Sequence, residues 1–291
     1  MKKIIFFILI VSLSACKEEP KEISKGASIM QEAVLPEIKL YTFDGGSIRV
    51  NTLSLFAQDE SYKGQSRDFA NGFYIIEHPK GILMWDAGLP ESLVGMPEPF
   101  TTENGAFTVS RKDSVSNQLK SIGMAIEDID FISLSHTHFD HSGHANNFKN
   151  ATWIVQEDEY EYVNSEENKK QYPEVYAAVQ DLDKVKKIKG DYDVFGDGTV
   201  VFKFMPGHTP GHQVLFLKLK DHGPLLLSGD LYHFSENREF KRIPIFNDDI
   251  GQTKESMKKF ELFAEETGAK VYLQHQKEDF NKMPKAPNYL K

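Results

Sequence analysis

The sequence predicts a layered α/β fold, because short apolar strands and helices with one apolar face alternate along the chain. Strand-like runs occur in both halves, for example residues 73–78 (FYIIEH) and residues 213–219 (QVLFLKL). Apolar residues recur at helical spacing over residues 253–267. No Gly- or Pro-rich break divides the region between them, so we expect one domain over residues 38–291.

The first half is expected to contribute a β-hairpin, two buried strands and three helices. The hairpin turns at residues 79–81 (Pro-Lys-Gly), between two apolar runs. The first helix has Asp113 or Ser114 at its N-terminus and Gly123 after its last residue, which are typical cap and stop residues. The predicted elements are strands over 73–78 and 82–86, a helix over 114–122, strands over 131–135 and 152–156, and helices over 157–164 and 173–182.

The second half contains short apolar runs separated by turn residues, a pattern that is typical of strands. A charged amphipathic stretch then precedes one last apolar run. The predicted elements are strands over 199–204, 213–219 and 224–230, a helix over 253–267 and a strand over 269–274.

The overall charge argues against a nucleic-acid partner. The chain has 43 acidic and 34 basic residues among 291, which gives a formal net charge of −9, whereas a nucleic-acid interface needs a basic face. Nucleic acid is therefore not an expected partner. A single cysteine also excludes a disulfide framework. Composition leaves the oligomeric state undetermined.

The N-terminus resembles the signal of a bacterial lipoprotein. Met1-Lys2-Lys3 precedes an apolar run of about ten residues, too short for a membrane span of roughly twenty. The run ends in LSAC, and Cys16 is the only cysteine. We expect a signal peptide over residues 1–15, a lipid on Cys16 and a polar tether over residues 16–37. The protein would then be an exported lipoprotein of a bacterial cell envelope, on the periplasmic face or the cell surface, with the lipid as its only membrane contact. The alternative is an ordinary signal peptide with an incidental cysteine.

The segment SLSHTHFDHSGH, residues 133–144, concentrates metal-ligand side chains behind an apolar strand. His136 and His138 are two residues apart and point to the same side of an extended segment, and Asp140 continues that alternation. His141 points elsewhere. Such a loop could offer two histidines to one divalent ion and an Asp–His pair to a neighbouring ion.

Three further candidate ligands follow predicted strands, namely His208, Asp230 and His275. The ends of strands form the edge at which α/β folds collect their sites. A single histidine at a strand end is more often a structural hydrogen-bonding residue than a ligand. Seven ligand-type side chains at four strand ends favour a metal site over that alternative.

This pattern resembles that of the metallo-β-lactamase superfamily. The H-x-H-x-D-H signature is complete over residues 136–141, and the later His, Asp and His come in the family's order. The resemblance implies a four-layer αβ/βα sandwich with a binuclear metal site at the edge between the two sheets. The expected ions are two Zn²⁺ per chain, although Fe or Mn also suits a mixture of imidazole and carboxylate. The implied ligands are His136, His138 and His208 for one ion and Asp140, His141 and His275 for the other, with Asp230 bridging both.

The resemblance also implies supporting residues around the ligands. Asp86 matches a family position that supports the ligand loop. Asp140 is expected at the rim, where it could transfer a proton to the leaving group. His212 is expected to be a structural hydrogen-bonding residue near the site, and His78 is expected to be solvated in a turn.

Within the superfamily, the chain resembles the N-acyl-homoserine lactonases. The similar segments are residues 190–216, 86–92 and 156–162. The resemblance implies attack of a metal-bridging hydroxide on the lactone carbonyl, with one ion on that oxygen and the other on the leaving ring oxygen. Two alternatives stay open at this point. One is another hydrolase of this fold, thioesterase or β-lactamase-like, and the other is a surface lipoprotein that binds metal or ligand without catalysis.

One position departs from the lactonase pattern. Many lactonases of this family have a tyrosine three residues after the bridging aspartate, where this chain has His233, next to Tyr232. Either side chain could donate a hydrogen bond to the carbonyl oxygen of the substrate. The register favours His233. A third possibility is that His233 packs near the site without a catalytic role.

Overall fold

The structure is a computed structural model that describes residues 35–291. The predicted signal peptide, the lipid on Cys16 and most of the predicted tether lie outside the described residues, so they stay predictions. Residues 35–291 form one structural unit. Within this range no helix is both long enough and apolar enough to cross a membrane.

Two β-sheets form the centre of the fold. The strands of the larger sheet are β1 (Lys39–Val50), β2 (Arg67–His78), β3 (Gly81–Trp85), β4 (Phe100–Thr101), β5 (Phe107–Ser110), β6 (Phe131–Ser133), β7 (Thr152–Gln156), β8 (Val185–Ile188) and β14 (Tyr289–Leu290). The strands of the smaller sheet are β9 (Tyr192–Asp193), β10 (Val200–Phe204), β11 (Gln213–Leu219), β12 (Gly223–Leu227) and β13 (Lys270–Tyr272).

Both sheets combine antiparallel and parallel pairs. Among the described residues, the larger sheet has the order β4-β5-β1-β2-β3-β6-β7-β8, with β14 paired to β1. Its pairs from β3 to β8 are parallel, and its other pairs are antiparallel. The smaller sheet has the order β13-β12-β11-β10-β9, in which only β12 and β13 are parallel.

Helices cover the outer faces of the sheets. The longest helix, α7, begins after Asp249, whose side chain accepts a hydrogen bond from the backbone N–H of Gln252 at 2.8 Å. It ends at Gly268, which adopts the left-handed conformation that favours glycine after a helix. The helices are α1 (Val115–Lys120), α2 (Phe139–Ser142), α3 (Glu157–Asn164), α4 (Glu166–Gln171), α5 (Pro173–Ala177), α6 (Ser235–Phe240), α7 (Ile250–Thr267) and α8 (Lys277–Lys282).

Apolar side chains fill the space between the sheets and cover the outer face of each. Trp85 of the larger sheet and Phe202 of the smaller sheet are fully buried, with ring centroids 5.1 Å apart. Leu119 of α1 and Val163 of α3 belong to the core on the other face of the larger sheet. Phe260 of α7 belongs to the core on the outer face of the smaller sheet. These layers confirm the predicted four-layer sandwich.

The predicted strands and helices are present, and the differences lie in elements that the sequence does not predict and in the points where elements end. The sequence does not predict β1, because Gly45 and Gly46 interrupt its alternation at the point where its pairing with β2 shifts register. The predicted helix over 173–182 is α-helical only to Ala177, and a turn follows in which the N–H of Val179 bonds the carbonyl three residues earlier and that of Gln180 the carbonyl four residues earlier. The predicted strands over 131–135 and 224–230 end early, because their last residues bend into the loops of the site.

Candidate metal centre

Four strand ends bring the predicted ligands to one edge of the two sheets. The segment with the H-x-H-x-D-H signature follows β6 of the larger sheet. His208 follows β10, Asp230 follows β12 and His275 follows β13, all in the smaller sheet. Six of the seven side chains are buried, and His138 is partly exposed. The site therefore lies where the two sheets meet, and both sheets contribute to it.

The candidate ligands form two groups, and in each group the ligand atoms lie within 4.8 Å of one another. The structure thus brings all seven predicted side chains together. The first ligand group contains His136, His138, His208 and Asp230, and the second ligand group contains Asp140, His141 and His275.

Asp230 lies between the two groups, with one carboxylate oxygen towards each. Its Oδ2 atom is 3.6 Å from Nε2 of His136 and 3.5 Å from Nε2 of His208. Its Oδ1 atom is 3.2 Å from Nε2 of His141 and 3.1 Å from Nε2 of His275. This geometry allows one carboxylate to serve two ions.

The donor set fits a pair of divalent ions. Nδ1 of His138 is 2.9 Å from Nε2 of His136 and 3.1 Å from Nε2 of His208, so three imidazole nitrogens converge on one place. Across residues 35–291, Nε2 of His141 and Oδ1 of Asp230 are among the few buried side-chain atoms that lack a hydrogen-bond partner. Buried polar atoms are nearly always paired. Both atoms face the second ligand group, where a cation would provide their missing partner.

Burial keeps the histidines of the first ligand group neutral. It lowers the pKa of His138 to about 4. Burial and neighbouring imidazoles also hold the pKa values of His136 and His208 well below the usual range. Because neutral imidazole is the form that binds a metal ion, these side chains are ready to accept a cation at neutral pH.

The second ligand group has a different electrostatic balance. Burial disfavours the charged form of His141 and His275, but nearby carboxylates, with Asp230 as the largest contributor, outweigh burial and raise the pKa of both imidazoles. Burial alone would raise the pKa of Asp230, yet the surrounding histidines hold it well below its usual range. A cation that bound here would compete with protonation of these imidazoles.

Asp86 supports the ligand segment from inside the fold. Its Oδ1 atom accepts a hydrogen bond from the backbone N–H of Ser135 at 2.7 Å, and its Oδ2 atom is 3.0 Å from Nδ1 of His141. The second contact keeps the proton of His141 on Nδ1 and leaves Nε2 for an ion. Asp86 adopts a φ of 58°, which is uncommon outside glycine and is found where function requires a strained backbone.

In two other imidazoles a contact at Nδ1 also leaves Nε2 towards the ligand groups. Nδ1 of His275 donates to the carbonyl of Ala70 at 2.8 Å. Nδ1 of His208 lies 3.2 Å from Oδ1 of Asn247. Asn247 cannot be predicted from the sequence, because an asparagine in a polar turn 39 residues after His208 has no distinguishing pattern.

The side chain of His212 supports the backbone of Asp230. Its Nε2 atom accepts a hydrogen bond from the backbone N–H of Asp230 at 3.0 Å, and its Nδ1 atom donates to the carbonyl of Met205 at 2.9 Å. Burial lowers the pKa of His212 to about 4, so the accepting nitrogen stays unprotonated. The side chain is thus a structural hydrogen-bonding residue beside the site.

His233 and Tyr232 point in different directions. Nε2 of His233 is 3.1 Å from Oδ2 of Asp230, and its ring packs edge-on against Phe56 at 4.8 Å. The ring of Tyr232 is fully buried in the core under α7, 5.7 Å from Phe260. The choice of Tyr232 as a site residue is therefore wrong. Neighbouring residues of an extended segment point to opposite sides, and His233 is the one that reaches the ligands.

Two other histidines lie away from the ligand groups. Nδ1 of His144 is 2.8 Å from a carboxylate oxygen of Glu91. His78 is buried, with Nε2 3.1 Å from Asp197 and its ring stacked on Phe195 at 4.0 Å. The expectation of a solvated His78 is wrong, because β2 continues to this residue and a loop of the smaller sheet covers it.

The edge of the site has a polar cavity and several aromatic rings. The cavity has a volume of about 350 Å³ and opens at His138 and His208. Phe246 lines it and lies 5.3 Å from the ring of Phe56 and 6.1 Å from that of His233. A substrate at the ligand groups would therefore meet polar groups on one side and aromatic rings near His233. Further residues that line the cavity are Tyr162, Ser165, Glu167, Asn168, Gln171, Tyr172 and Asp248.

A family model matches the part of the chain that carries this site. Residues 69–275 match the model of the metallo-beta-lactamase superfamily, and this range contains all seven candidate ligands. The chain therefore belongs to the metallo-β-lactamase superfamily.

Similar proteins of known name include N-acyl homoserine lactonases. AttM of Azorhizobium caulinodans is 30% identical over 272 residues, which cover 88% of this chain and 99% of AttM. AiiA of Bacillus thuringiensis subsp. kurstaki is 31% identical over 225 residues, which cover 75% of this chain and 85% of AiiA. A solved structure of an N-acyl homoserine lactone hydrolase has N-hexanoyl-L-homoserine bound at its catalytic metal center. It matches this structure with a TM-score of 0.75 and 28% identity, over 88% of this chain and 100% of that chain.

Removal of a candidate ligand should remove bound metal. We expect His136→Ala and Asp230→Ala each to weaken metal retention by at least about tenfold, because each removes a ligand atom from a buried site. The measurement is the number of divalent ions per purified chain after dialysis, determined by elemental analysis.

His222→Ala is the matched control for these variants. This half-buried histidine lies 3.1 Å from the hydroxyl of Tyr272, outside both ligand groups. The control should keep the metal content of the unaltered chain. A His136→Ala or Asp230→Ala protein that folds and keeps full metal content would contradict the assignment of these ligands.

Proposed function

We propose that this protein is a binuclear metal-dependent hydrolase that opens the lactone ring of N-acyl homoserine lactones. The observation that carries the proposal is the position of Asp230, which presents one oxygen to each of two histidine-rich groups. The substrate class is supported by relatives that are named as lactonases and that align with this chain over nearly their full length.

The two ligand groups would hold two divalent ions, with Zn²⁺ as the expected metal. When bound, such ions lower the pKa of a water molecule towards neutrality and polarise a carbonyl oxygen. Imidazole and carboxylate ligands suit zinc, and Fe or Mn would also fit. The chain's own contribution is to hold the ligand atoms in fixed tautomers at a buried edge of the fold.

His233 would donate a hydrogen bond to the carbonyl oxygen of the lactone. Its Nε2 atom is next to Asp230, at the centre of the site, and the ring of Phe56 limits its orientation. A donor that is already in place when charge develops on an acyl oxygen contributes roughly 3 kcal/mol to the stability of the transition state.

Asp140 would transfer a proton to the leaving oxygen of the ring. Its Oδ2 atom is 3.5 Å from Nε2 of His275, and the residue retains some exposure at the rim of the site. Asn71 holds the segment by donating to the backbone carbonyl of Asp140 at 2.9 Å. A carboxylate at this place can accept a proton from the attacking water and release it to the alkoxide.

Aromatic rings beside His233 would bind the acyl chain. Phe56 is 5.3 Å from Phe246 and 6.3 Å from Phe107, and Phe107 is 6.4 Å from Phe139. Phe56 is buried, but Phe246 is 40% exposed and Phe107 and Phe139 are partly exposed, so an acyl chain that covered these three rings would gain about 25 cal/mol for each Å² of apolar surface removed from water. This supports a substrate with an apolar tail.

A panel of substrates tests the proposed reaction. We expect the metal-loaded protein to hydrolyse N-acyl homoserine lactones with a kcat/KM at least about tenfold higher than for simple lactones, thioesters or β-lactams. The reason is that only the first class combines a lactone ring with an acyl chain for the aromatic rings. Hydrolysis is measured by titrating the acid that each substrate releases while the pH is held constant.

The control for this panel is the Asp230→Ala protein, which should hydrolyse none of the substrates above background. Preference for a thioester or a β-lactam would contradict the lactone assignment. Absence of turnover with all four classes, in a protein that has both ions bound, would instead indicate a binding protein.

Substitution of His233 tests its role with the substrate. We expect His233→Phe to lower kcat about 100-fold with little change in KM, because the lost hydrogen bond forms mainly in the transition state. His233→Tyr should keep most of the activity, since a phenol can also donate. Tyr232→Phe is the control: its ring stays in the core, and its kcat should not change. A kcat of His233→Phe within about threefold of the unaltered protein would rule out the proposed donor.

Attachment of a lipid at Cys16 is also part of the proposal, with support from the sequence of residues 1–16 alone. Expressed in a bacterium, the full chain should incorporate labelled fatty acid and sediment with membranes, and Cys16→Ser should do neither. A full chain that stays unlabelled would contradict export as a lipoprotein.

A further inference from the structure

Glu159 of α3 is a buried carboxylate that bonds two ligand-bearing segments at once. Its Oε1 atom accepts hydrogen bonds from the backbone N–H and the hydroxyl of Thr137, at 2.7 and 2.8 Å. Its Oε2 atom accepts from the hydroxyl of Thr209 at 2.7 Å and from the backbone N–H of Gly211 at 3.0 Å. Four donors thus surround one carboxylate whose residue is 3% exposed.

The bonded residues are direct neighbours of metal-ligand candidates. Thr137 lies between His136 and His138, and Thr209 follows His208. The first segment leaves the larger sheet and the second leaves the smaller sheet. Hydrogen bonds to a charged acceptor are about twice as strong as neutral ones. Glu159 therefore ties together the two sheets at the place where the three imidazoles of the first ligand group meet.

Close packing keeps Glu159 against the second of these segments. A Cβ atom at Gly211 would lie 2.3 Å from Cβ of Glu159 and 2.4 Å from its backbone nitrogen. No other amino acid can replace Gly211 without a shift of the helix or of the loop. The short contact leaves the carboxylate little freedom to take another position.

The second ligand group is held by other residues. Asp86 bonds Nδ1 of His141, and the carbonyl of Ala70 accepts from Nδ1 of His275. The hydrogen bonds of Glu159 found in the described chain go to Thr137, Thr209 and Gly211 and to none of these residues. A change at Glu159 should therefore affect the two groups unequally.

We propose that Glu159 is a positioning residue for the metal ion of the first ligand group. It holds the His136–His138 segment and the His208 loop at the separation that lets three imidazoles reach one ion. The inference rests on the two-metal site of the proposed function, but not on the identity of the substrate.

Stepwise removal of metal by a chelator tests this role. Glu159→Gln keeps the shape of the side chain, but it replaces one acceptor oxygen with an amide NH₂ that cannot accept a hydrogen bond. We expect the Glu159→Gln protein to lose one of its two ions at a chelator concentration at least about tenfold lower than the concentration that removes this ion from the unaltered protein. The other ion should be released within about threefold of its usual concentration. Ions per chain and the melting temperature are measured at each step.

Glu161→Gln is the matched control, because it makes the same chemical change in the same helix. The Glu161 side chain is 65% exposed and pairs with Lys187. This variant should release both ions as the unaltered protein does. Thr209→Val is a second test, which removes a single donor to Glu159, and it should destabilise the same ion by a smaller factor.

Two results would overturn the proposal. One is that Glu159→Gln and Thr209→Val retain both ions as the unaltered protein does. The other is that both ions leave together as the melting temperature falls, which would indicate a purely structural role. Because metal retention is the readout, failure of the lactone assignment would leave the outcome of this experiment unchanged.

Discussion

The candidate site depends on the burial of one carboxylate, Asp230, among imidazoles. Asp230 is 4% exposed, and a buried charge costs several kcal/mol unless opposite charges compensate it. The imidazoles of His141 and His275, whose pKa values the carboxylates raise, lie 3.2 and 3.1 Å from Oδ1 of Asp230, and this oxygen still lacks a hydrogen-bond partner. Two divalent cations would compensate this charge, and their binding would then be coupled to folding.

The surrounding fold serves to hold these charges in place. The H-x-H-x-D-H segment follows a strand of the larger sheet, and the other three ligands follow strands of the smaller sheet. An apolar core that includes Trp85 and Phe202 packs the two sheets together. Around the ligands, side-chain oxygens of Asp86, Asn247 and Glu159 accept hydrogen bonds that set tautomers and loop positions. Loops without such bonds would lose conformational entropy when each ion binds. Because these hydrogen bonds already order the loops, they reduce the entropic cost of metal binding.

Most of the fold and the seven candidate ligands could be predicted, because strand ends and the spacing of histidines are local features of the sequence. Partners that meet only in three dimensions could not be. Asn247 reaches His208 across 39 residues, and His78 is covered by a distant loop. Glu159 left a weak signal, since it lies four residues before the buried Val163 on one face of α3. The sequence also does not show which of the neighbours Tyr232 and His233 faces the ligands.

The most direct measurement is a crystal structure of the metal-loaded protein with anomalous diffraction recorded at the absorption edge of the bound metal. We predict two anomalous peaks about 3.5–4 Å apart, with one oxygen of Asp230 coordinated to each. The peak in the first ligand group should contact His136, His138 and His208, and the other should lie in the second ligand group. A single peak, or two peaks without Asp230 between them, would contradict the binuclear site.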